Sequence, residues 1–213
     1  MPKISDQQRQ ARRDQILAAT WRCFFRKGIH ATSMEEIIRE ANLSAGAVYL
    51  YYKSKDELIF AAISTYMAEL RGLLMPILMT EKALPPLAFV YEITSAIAKH
   101  TKRAGVDLNV IILMCWSEAQ TNNNVKALVT GFQVNYREAL VNIVRQWQKR
   151  KDLRSTGNPE ELANALLAFF LGFIAQSALL GGLTPETVTR GMEGFLGNIK
   201  TVRSSARKRQ DQN

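Results

Sequence analysis

Residues 42–58 carry the most suggestive chemistry in the chain, reading NLSAGAVYLYYKSKDEL. Three small residues, Ala45, Gly46 and Ala47, precede a group of tyrosines. Small side chains let the start of a helix approach another backbone closely, and the free N–H groups at a helix start favour phosphate binding. The stretch is therefore either a short aromatic core helix or a surface that recognises a partner.

A helical wheel separates this stretch into two faces. Val48 and Tyr52 lie four residues apart on one stripe, so we expect them to pack inward. Tyr49 and Leu50 fall on the opposite arc, where an exposed Tyr-Leu pair is poorly explained as plain surface. Lys55 falls in the first turn of the next helix, where a cation opposes the helix dipole. A phosphate held there would explain this lysine, and a solvated side chain is the alternative.

Side chains suited to catalysis or metal binding are few. The histidines are His30 and His100, neither is in a metal-binding spacing, and no phosphate loop or nucleophile elbow is present. Cys23 and Cys115 each lie in an apolar run, which favours buried thiols in a reducing cytosol over a disulfide. The polar N-terminus lacks an apolar signal core. We therefore expect a cytoplasmic protein with no enzymatic activity, catalytic residue, metal or cofactor.

The positive charge lies mainly near the two ends of the chain. Residues 1–55 carry ten Lys/Arg and five Asp/Glu, residues 56–199 carry thirteen of each, and residues 200–213 carry five and one. A basic segment attached to a neutral body favours a polyanion as the partner of that segment. A merely solvated, charged helix is the alternative interpretation.

The hydrophobic spacing predicts an all-α protein of about nine helices. Capping signals mark several helix starts, including Ser33 with Glu36 and Ser54 with Glu57, and Pro76 is expected to end the fourth helix. The expected helices lie at about 7–27, 33–41, a short segment from 44, 54–74, 85–103, 106–121, 124–151, a segment from 158, and 184–203.

These helices group into two modules joined by a helix start. The second helix, the turn of residues 42–44 and the short third helix form a helix-turn-helix, whose second helix enters the DNA major groove in known examples. We therefore expect a helix-turn-helix DNA-binding domain at residues 1–53. Residues 54–203 form a larger, more apolar helical module, and residues 204–213 form a basic, flexible tail.

Residues 32–58 resemble the helix-turn-helix of TetR/AcrR-type transcriptional regulators, and the resemblance is specific over residues 10–60. The first helix fits the same pattern. The matching positions are Ile16, Leu17, Ala19, Phe24, Gly28, Ile37, Ala41, Leu43, Ser44, Gly46, Val48, Tyr49, Tyr51, Tyr52, Ser54, Lys55 and Leu58.

The resemblance implies double-stranded operator DNA as a partner and assigns roles to individual residues. The positions that contact DNA in such proteins are occupied here by Ser44, Ala45, Gly46, Ala47, Tyr49 and Tyr51. The positions that hold phosphates are occupied by Thr32, Ser33 and Lys55. Three residues depart from the family pattern: Asn42 replaces the usual turn glycine, Tyr52 the usual core phenylalanine, and Ala45 a frequent lysine. Arg12 and Arg13 would compensate for Ala45 if they reach phosphate.

Residues 162–185 contain no charged residue. A membrane span, a helix buried within one subunit and a dimer interface are the three interpretations. Ala168 and Gly172 form a notch of small residues, and Phe169 and Phe173 supply apolar area, so we expect a dimer interface made by these four residues and no membrane. The resemblance likewise implies a homodimer that pairs through the last two helices.

The resemblance also implies that residues 54–203 are the effector-binding and dimerisation domain, with a pocket for a small-molecule effector within residues 60–150. Each candidate is otherwise explained as plain core, and the methionines favour a lipophilic or aromatic effector. Glu92 and Glu118 either face solvent or receive a cationic ligand. The candidates are Met67, Leu74, Met79, Phe89, Ile93, Met114, Trp116, Phe132 and Tyr136.

These features together predict a dimeric repressor that an effector releases from its operator. An effector-independent DNA-binding regulator with a filled core is the alternative. A helical enzyme is a third possibility, which the lack of catalytic patterns disfavours.

Overall fold

The fold is given by a computed structural model that describes residues 5–100, 102–103, 106–153 and 157–198. Within these residues nine helices and one short pair of strands are present, which confirms the all-α fold class. The helices are α1 (Asp6–Lys27), α2 (Met34–Glu40), α3 (Ala45–Tyr49), α4 (Lys55–Leu78), α5 (Pro86–His100), α6 (Leu108–Glu118), α7 (Asn123–Arg150), α8 (Pro159–Leu180) and α9 (Pro185–Asn198). The expected tail at residues 204–213 lies outside the described residues.

Helix α4 continues through the proline that was expected to end it. Proline has no N–H group, so the helical bond to the carbonyl of Gly72 is missing at Pro76. The helical hydrogen bonds continue after Pro76, since the N–H of Met79 donates to the carbonyl of Met75 at 2.8 Å. The prediction of a stop at residue 74 was wrong, since a long helix that packs along one side tolerates the loss of a single bond.

The connection between α5 and α6 also differs from the prediction. Strands β1 (Lys102–Arg103) and β2 (Val106–Asp107) pair antiparallel at the place where helical segments were expected to continue. Asp107 then caps α6, since its carboxylate accepts the N–H of Asn109 at 2.8 Å. The cap fixes the start of α6 beside the first helix, with which it is in contact.

The predicted helix caps are present, with one variation. Ser33 and Glu36 form a reciprocal capping box at the start of α2, with bonds of 3.2 and 3.0 Å. Ser54 accepts the N–H of Glu57 at 3.1 Å, but the Glu57 carboxylate accepts the N–H of Lys53 instead of that of Ser54. At α4 the serine bond of the expected capping box therefore forms, whereas the Glu57 carboxylate bonds the loop residue before Ser54 and ties α4 to that loop.

Ion pairs fasten α1 to α2. The guanidinium groups of Arg22 and Arg26 lie 2.7 and 3.2 Å from the carboxylate of Glu40, and Lys27 pairs with Glu36. Hydrogen bonds from Arg22 and Arg26 lower the pKa of Glu40, and the hydrogen bond from Lys27 lowers that of Glu36. Three basic side chains of the N-terminal segment thus serve the fold itself.

One continuous set of buried side chains runs through both modules. Ile16 and Phe24 of α1, Ile37 of α2 and Val48 of α3 are fully buried, and they join Leu58 of α4 in the same cluster as the core of the larger module. The division at residue 53 stays a prediction. Because the core is shared, α4 packs against buried side chains of both modules.

Two of the described helices, α4 and α8, are long and apolar enough to cross a membrane by length and composition alone. Core helices of soluble proteins pass the same test. In the most apolar 18-residue stretch of each helix, 44% of the α4 stretch is buried inside the chain, whereas only 22% of the α8 stretch is buried. Helix α8 therefore carries an apolar face that its own chain does not cover.

The substitution Glu40→Gln is expected to lower the melting temperature by about 1–3 °C, because both arginines of α1 lose their charged acceptor. The folded-state pKa of Glu40 lies below its ordinary value of 4.5. The stabilisation is therefore complete above the unfolded-state pKa and disappears as the pH falls through the folded-state pKa. Melting curves of both proteins from pH 3 to pH 7 should converge at the acidic end.

Glu138→Gln is the matched control, since Glu138 is exposed on α7 and pairs with no described residue. An equal loss of stability in both variants would contradict the role given to Glu40.

Candidate nucleic-acid interface and effector cavity

Local hydrogen bonds position the short helix α3. The backbone of Asn42 is left-handed, with φ 54°, so asparagine makes the turn where a glycine was the common alternative. Ser44 caps the helix by accepting the N–H of Ala47 at 3.2 Å. At the other end the ammonium of Lys53 donates to the carbonyl of Tyr49 at 2.8 Å. Both ends of this single turn and a half are thereby fixed.

The two faces of α3 lie as the helical wheel predicts. Val48 is fully buried and Tyr52 is 7% exposed, whereas Tyr49 and Leu50 are 41% and 65% exposed. Burial raises the pKa of Tyr52. Tyr51 is half-buried and packs against the core, so it offers less of its ring to a partner than Tyr49 does.

The leading edge of α3 is open. Ser44, Ala45 and Gly46 are exposed, and Ala47 is half-buried. A Cβ atom added to Gly46 would meet no other atom within 4 Å, so nothing inside the chain requires glycine there. Glycine costs a helix about 0.5–1 kcal/mol relative to alanine. The free space in front of Gly46 therefore fits the close approach of an external partner.

The two candidates at the start of α2 have different surroundings. Ser33 is exposed, although its hydroxyl oxygen already accepts the N–H of Glu36. Thr32 is buried, and its hydroxyl lies 2.8 Å from the Gly28 carbonyl and 3.3 Å from that of Cys23. This placement corrects the expectation that the Thr32 side chain holds phosphate, because its hydroxyl satisfies carbonyls at the end of α1.

Lys55 has a partner within the protein. Its ammonium donates to the carbonyl of His30 at 2.8 Å, which explains why a cation is tolerated at the start of α4. An ammonium group has three donors, so this bond leaves two for a phosphate. Phosphate binding by Lys55 stays a prediction.

The turn that contains His30 also meets the larger module. The Nε2 atom of His30 lies 3.4 Å from a carboxylate oxygen of Glu118, at the end of α6. The side-chain amide of Asn122, which caps α7, donates to the other oxygen of Glu118 at 3.2 Å. The turn before α2 is thus in contact with the start of α4 through Lys55 and with the end of α6 through Glu118. Glu118 in turn connects it to Asn122, the N-cap of α7.

Glu118 is a functional candidate whose placement the sequence left open. It is buried, whereas Glu92 faces solvent, so the two carboxylates for which the same alternatives were open differ. The sequence offered one sign of this special position: Glu118 is the single charged residue of the mostly apolar α6. Its partner His30 is 88 positions away along the chain, so spacing alone does not reveal the pair.

Two adjoining cavities lie in the larger module. An open groove of about 370 Å³ runs between α4 and α7, and a smaller, more enclosed chamber of about 50 Å³ adjoins it among α4, α5, α7 and α8. Phe132 and Tyr136 line both, and their stacked rings are 4.2 Å apart. The hydroxyl of Tyr136 donates to the Leu70 carbonyl at 3.2 Å, and burial raises the pKa of Tyr136.

Five of the nine predicted pocket residues line these cavities: Met67, Leu74, Ile93, Phe132 and Tyr136. The other four do not. Met79 is exposed at the end of α4, and Phe89 is enclosed by the rings of Trp147 and Phe170. Met114 and Trp116 are half-buried on α6, which does not border either cavity.

The uncovered face of α8 holds part of the predicted dimer interface. Ala168 is exposed, while Phe169 and Gly172 are half-buried. Phe173 is 3% exposed and belongs to the core of its own subunit, which corrects its assignment to the interface. Leu179 and Leu180, at 74% and 80% exposed, extend the open apolar face instead.

Known proteins resemble the chain in both modules. Residues 16–62 match the family described as "Bacterial regulatory proteins, tetR family", and residues 99–199 match "BetI-type transcriptional repressor, C-terminal". An uncharacterized HTH-type transcriptional regulator of Haemophilus influenzae is 46% identical over 69 residues, which cover 29% of this chain and 37% of that protein. The chain spans about a third of the length of the first curated relatives it matches.

Solved structures share the fold over nearly the whole chain. A transcriptional regulator of Pseudomonas aeruginosa PAO1 gives a TM-score of 0.74 at 21% identity and covers 92% of this chain and 93% of its own. AibR, in complex with isovaleryl coenzyme A and operator DNA, gives a TM-score of 0.65 at 21% identity, with coverages of 87% and 97%. With matching sequence models in both modules and this shared fold, the chain belongs to the TetR family of helix-turn-helix transcriptional regulators.

Proposed function

We propose that this protein is a cytoplasmic, dimeric repressor that binds operator DNA and leaves it when a small lipophilic or aromatic effector enters the larger module. The observation that carries the proposal is the division of α3 into a buried back and an open front. Val48 anchors the helix, while Gly46 and Tyr49 are free to meet a partner.

The DNA interface combines this open front with a small number of free cations. Arg9, Arg13 and Arg39 are exposed and form no ion pair with any described residue. Arg22, Arg26 and Lys27 are already paired with carboxylates of α2. The free arginines supply attraction to phosphate, which positions the protein, whereas Tyr49 and the small residues meet base edges.

Dimerisation is supported by the apolar face of α8. Ala168, Leu179 and Leu180 are exposed on it, and the side chain of Phe195 is 70% exposed on the neighbouring α9. A two-fold dimer would bury these side chains and would place two copies of α3 about one DNA turn, roughly 34 Å, apart. A symmetric operator then follows from the symmetry of the protein.

The route from effector to DNA passes through the turn at His30. The groove is walled by α4 and α7. Helix α4 begins at Lys55, which holds the His30 carbonyl, and Asn122, the N-cap of α7, holds Glu118 beside the His30 ring. A ligand that separates α4 from α7 would therefore pull this turn from both sides. A coupling energy of about 1–3 kcal/mol is ordinary for such switches.

An effector-independent regulator remains the second candidate. The smaller chamber has a volume of only about 50 Å³, which is nearly a filled core. The open groove of about 370 Å³ favours the effector-responsive form, because it reaches the size range of small-molecule sites.

The proposal is tested by gel shift with DNA from the region upstream of the gene. We expect a sequence-specific complex at moderate salt that contains two protein chains per operator, as measured by mass photometry. A complex that unlabelled nonspecific DNA removes as easily as operator DNA would overturn the proposed function. A specific complex with one chain would overturn the dimer alone.

Tyr49→Ala is expected to weaken operator binding by about 1–3 kcal/mol while leaving the melting temperature nearly unchanged, because the ring is exposed. Val48→Ala is the matched comparison. It should lower the stability by about 1.5–3 kcal/mol, because Val48 is fully buried. Anisotropy titrations and melting curves of both variants separate the two effects, and equal losses of stability would mean that the faces of α3 are misassigned.

Glu118→Gln is expected to loosen the turn before α2 under conditions where His30 is protonated, because the uncharged amide still bonds Asn122 but offers no charge to the imidazolium. Amide hydrogen exchange should accelerate in residues 28–40 and stay unchanged in α8. Glu92→Gln is the control, since Glu92 is exposed on α5. Unchanged exchange in residues 28–40 would rule out Glu118 as the link between modules.

A further inference from the structure

The groove between α4 and α7 carries a positive charge that nothing in it neutralises. Its polar side chains are Arg71 and Ser64 of α4 and Asn135 and Tyr136 of α7, and no acidic residue lines it. Arg71 is exposed and forms no ion pair with any described residue. An arginine at the mouth of a mostly apolar groove favours an anion, since its planar guanidinium binds a carboxylate through two parallel hydrogen bonds.

A second polar group in the groove also lacks a partner. The Oγ atom of Ser64 is buried and makes no hydrogen bond with any described residue. A buried hydroxyl without a partner costs free energy, so this atom gains most from a ligand that offers a polar group. Asn135 is exposed on the facing helix and supplies an amide that can donate to the same ligand.

The chamber beside the groove has the opposite character. Its walls are almost entirely aliphatic and aromatic, and no charged residue lines it. The residues that line it are Leu70, Leu74, Leu78, Ile93, Ile97, Phe132, Gln133, Tyr136, Leu140, Leu167, Phe170, Leu171 and Ile174. Such a chamber accepts a hydrocarbon tail and rejects a charged group.

Phe132 lines both the groove and the chamber. Its stacking partner Tyr136 is buried and held by a hydrogen bond to the Leu70 carbonyl, whereas Phe132 is only half-buried at the edge of the core. The residue before it, Gly131, is exposed and has open space around its Cα. Rotation of the Phe132 ring would therefore join the groove to the chamber at the cost of its stacking on Tyr136, while the hydrogen bond of Tyr136 stays in place.

We propose that the effector is an amphipathic anion, a carboxylate on an aliphatic or aryl-aliphatic tail. Its head binds Arg71 and Asn135 in the groove, and its tail displaces Phe132 and enters the chamber. This inference rests on the proposed function and names the chemical class of the effector. A cationic amphiphile is disfavoured, because the groove offers no carboxylate to receive it.

The test uses the full chain and three matched series of probes from six to twelve carbons: sodium alkanoates, primary alkanols and alkyltrimethylammonium salts, each below its micelle concentration. Binding is measured by isothermal titration calorimetry. We expect alkanoates to bind with an affinity that rises about three- to fourfold per methylene until the chamber is full. Alkanols should bind at least tenfold more weakly than alkanoates of the same length.

Arg71→Ala should weaken alkanoate binding about tenfold or more and leave alkanol binding unchanged. Arg137→Ala is the matched control, since Arg137 is an exposed arginine of α7 that does not line the groove. Leu74→Phe, which fills the chamber, should remove the dependence on chain length without removing binding of the shortest alkanoate. Equal binding of alkanols and alkanoates, tighter binding of the ammonium series, or no effect of Arg71→Ala would each overturn the inference.

Operator release, measured by gel shift with the same probes, separates this inference from the proposed function. Alkanoates that bind through Arg71 but do not release DNA would support the ligand class and contradict effector release. Release of DNA by another class of compound, with alkanoates inert, would contradict the ligand class and support effector release.

Discussion

The contact between the turn at His30 and the helix ends around it is the constraint on which the rest of the structure depends. A lysine from α4 holds the backbone of this turn, and a buried carboxylate from α6 faces its side chain. Neither contact is strong by itself, since one is an exposed hydrogen bond and the other involves a largely exposed imidazole. Together with the shared core, they help to orient the small module on the large one, because α2 starts at Met34, four residues after His30.

This arrangement assigns different tasks to the charged residues of the N-terminal segment. Arg22, Arg26 and Lys27 hold α1 against α2, so the basic excess of residues 1–55 overstates the charge that is free for DNA. The net charge agrees with the proposed DNA partner, but it does not show which cations are internal. That distinction depends on which faces of α1 and α2 meet.

The sequence predicted those parts of the structure that local rules decide. The faces of α3 and the caps at Ser33 and Asn158 follow from helical period and from side chains that bond the nearest backbone. The burial of Thr32 and Phe173 did not follow, because it depends on neighbours distant in the chain. An apolar helix such as α8 offers no polar stripe to show which side faces its own core, and so Ala168 and Phe173 looked equivalent.

The open front of α3 has a consequence for how this protein can change over generations. Substitutions at Ala45, Gly46 and Tyr49 remove no buried contact, so selection for a folded protein barely acts on them. Selection at Val48, one position away, acts mainly on packing. A duplicated gene could therefore acquire a new DNA target by drift along this edge, with no intermediate that fails to fold.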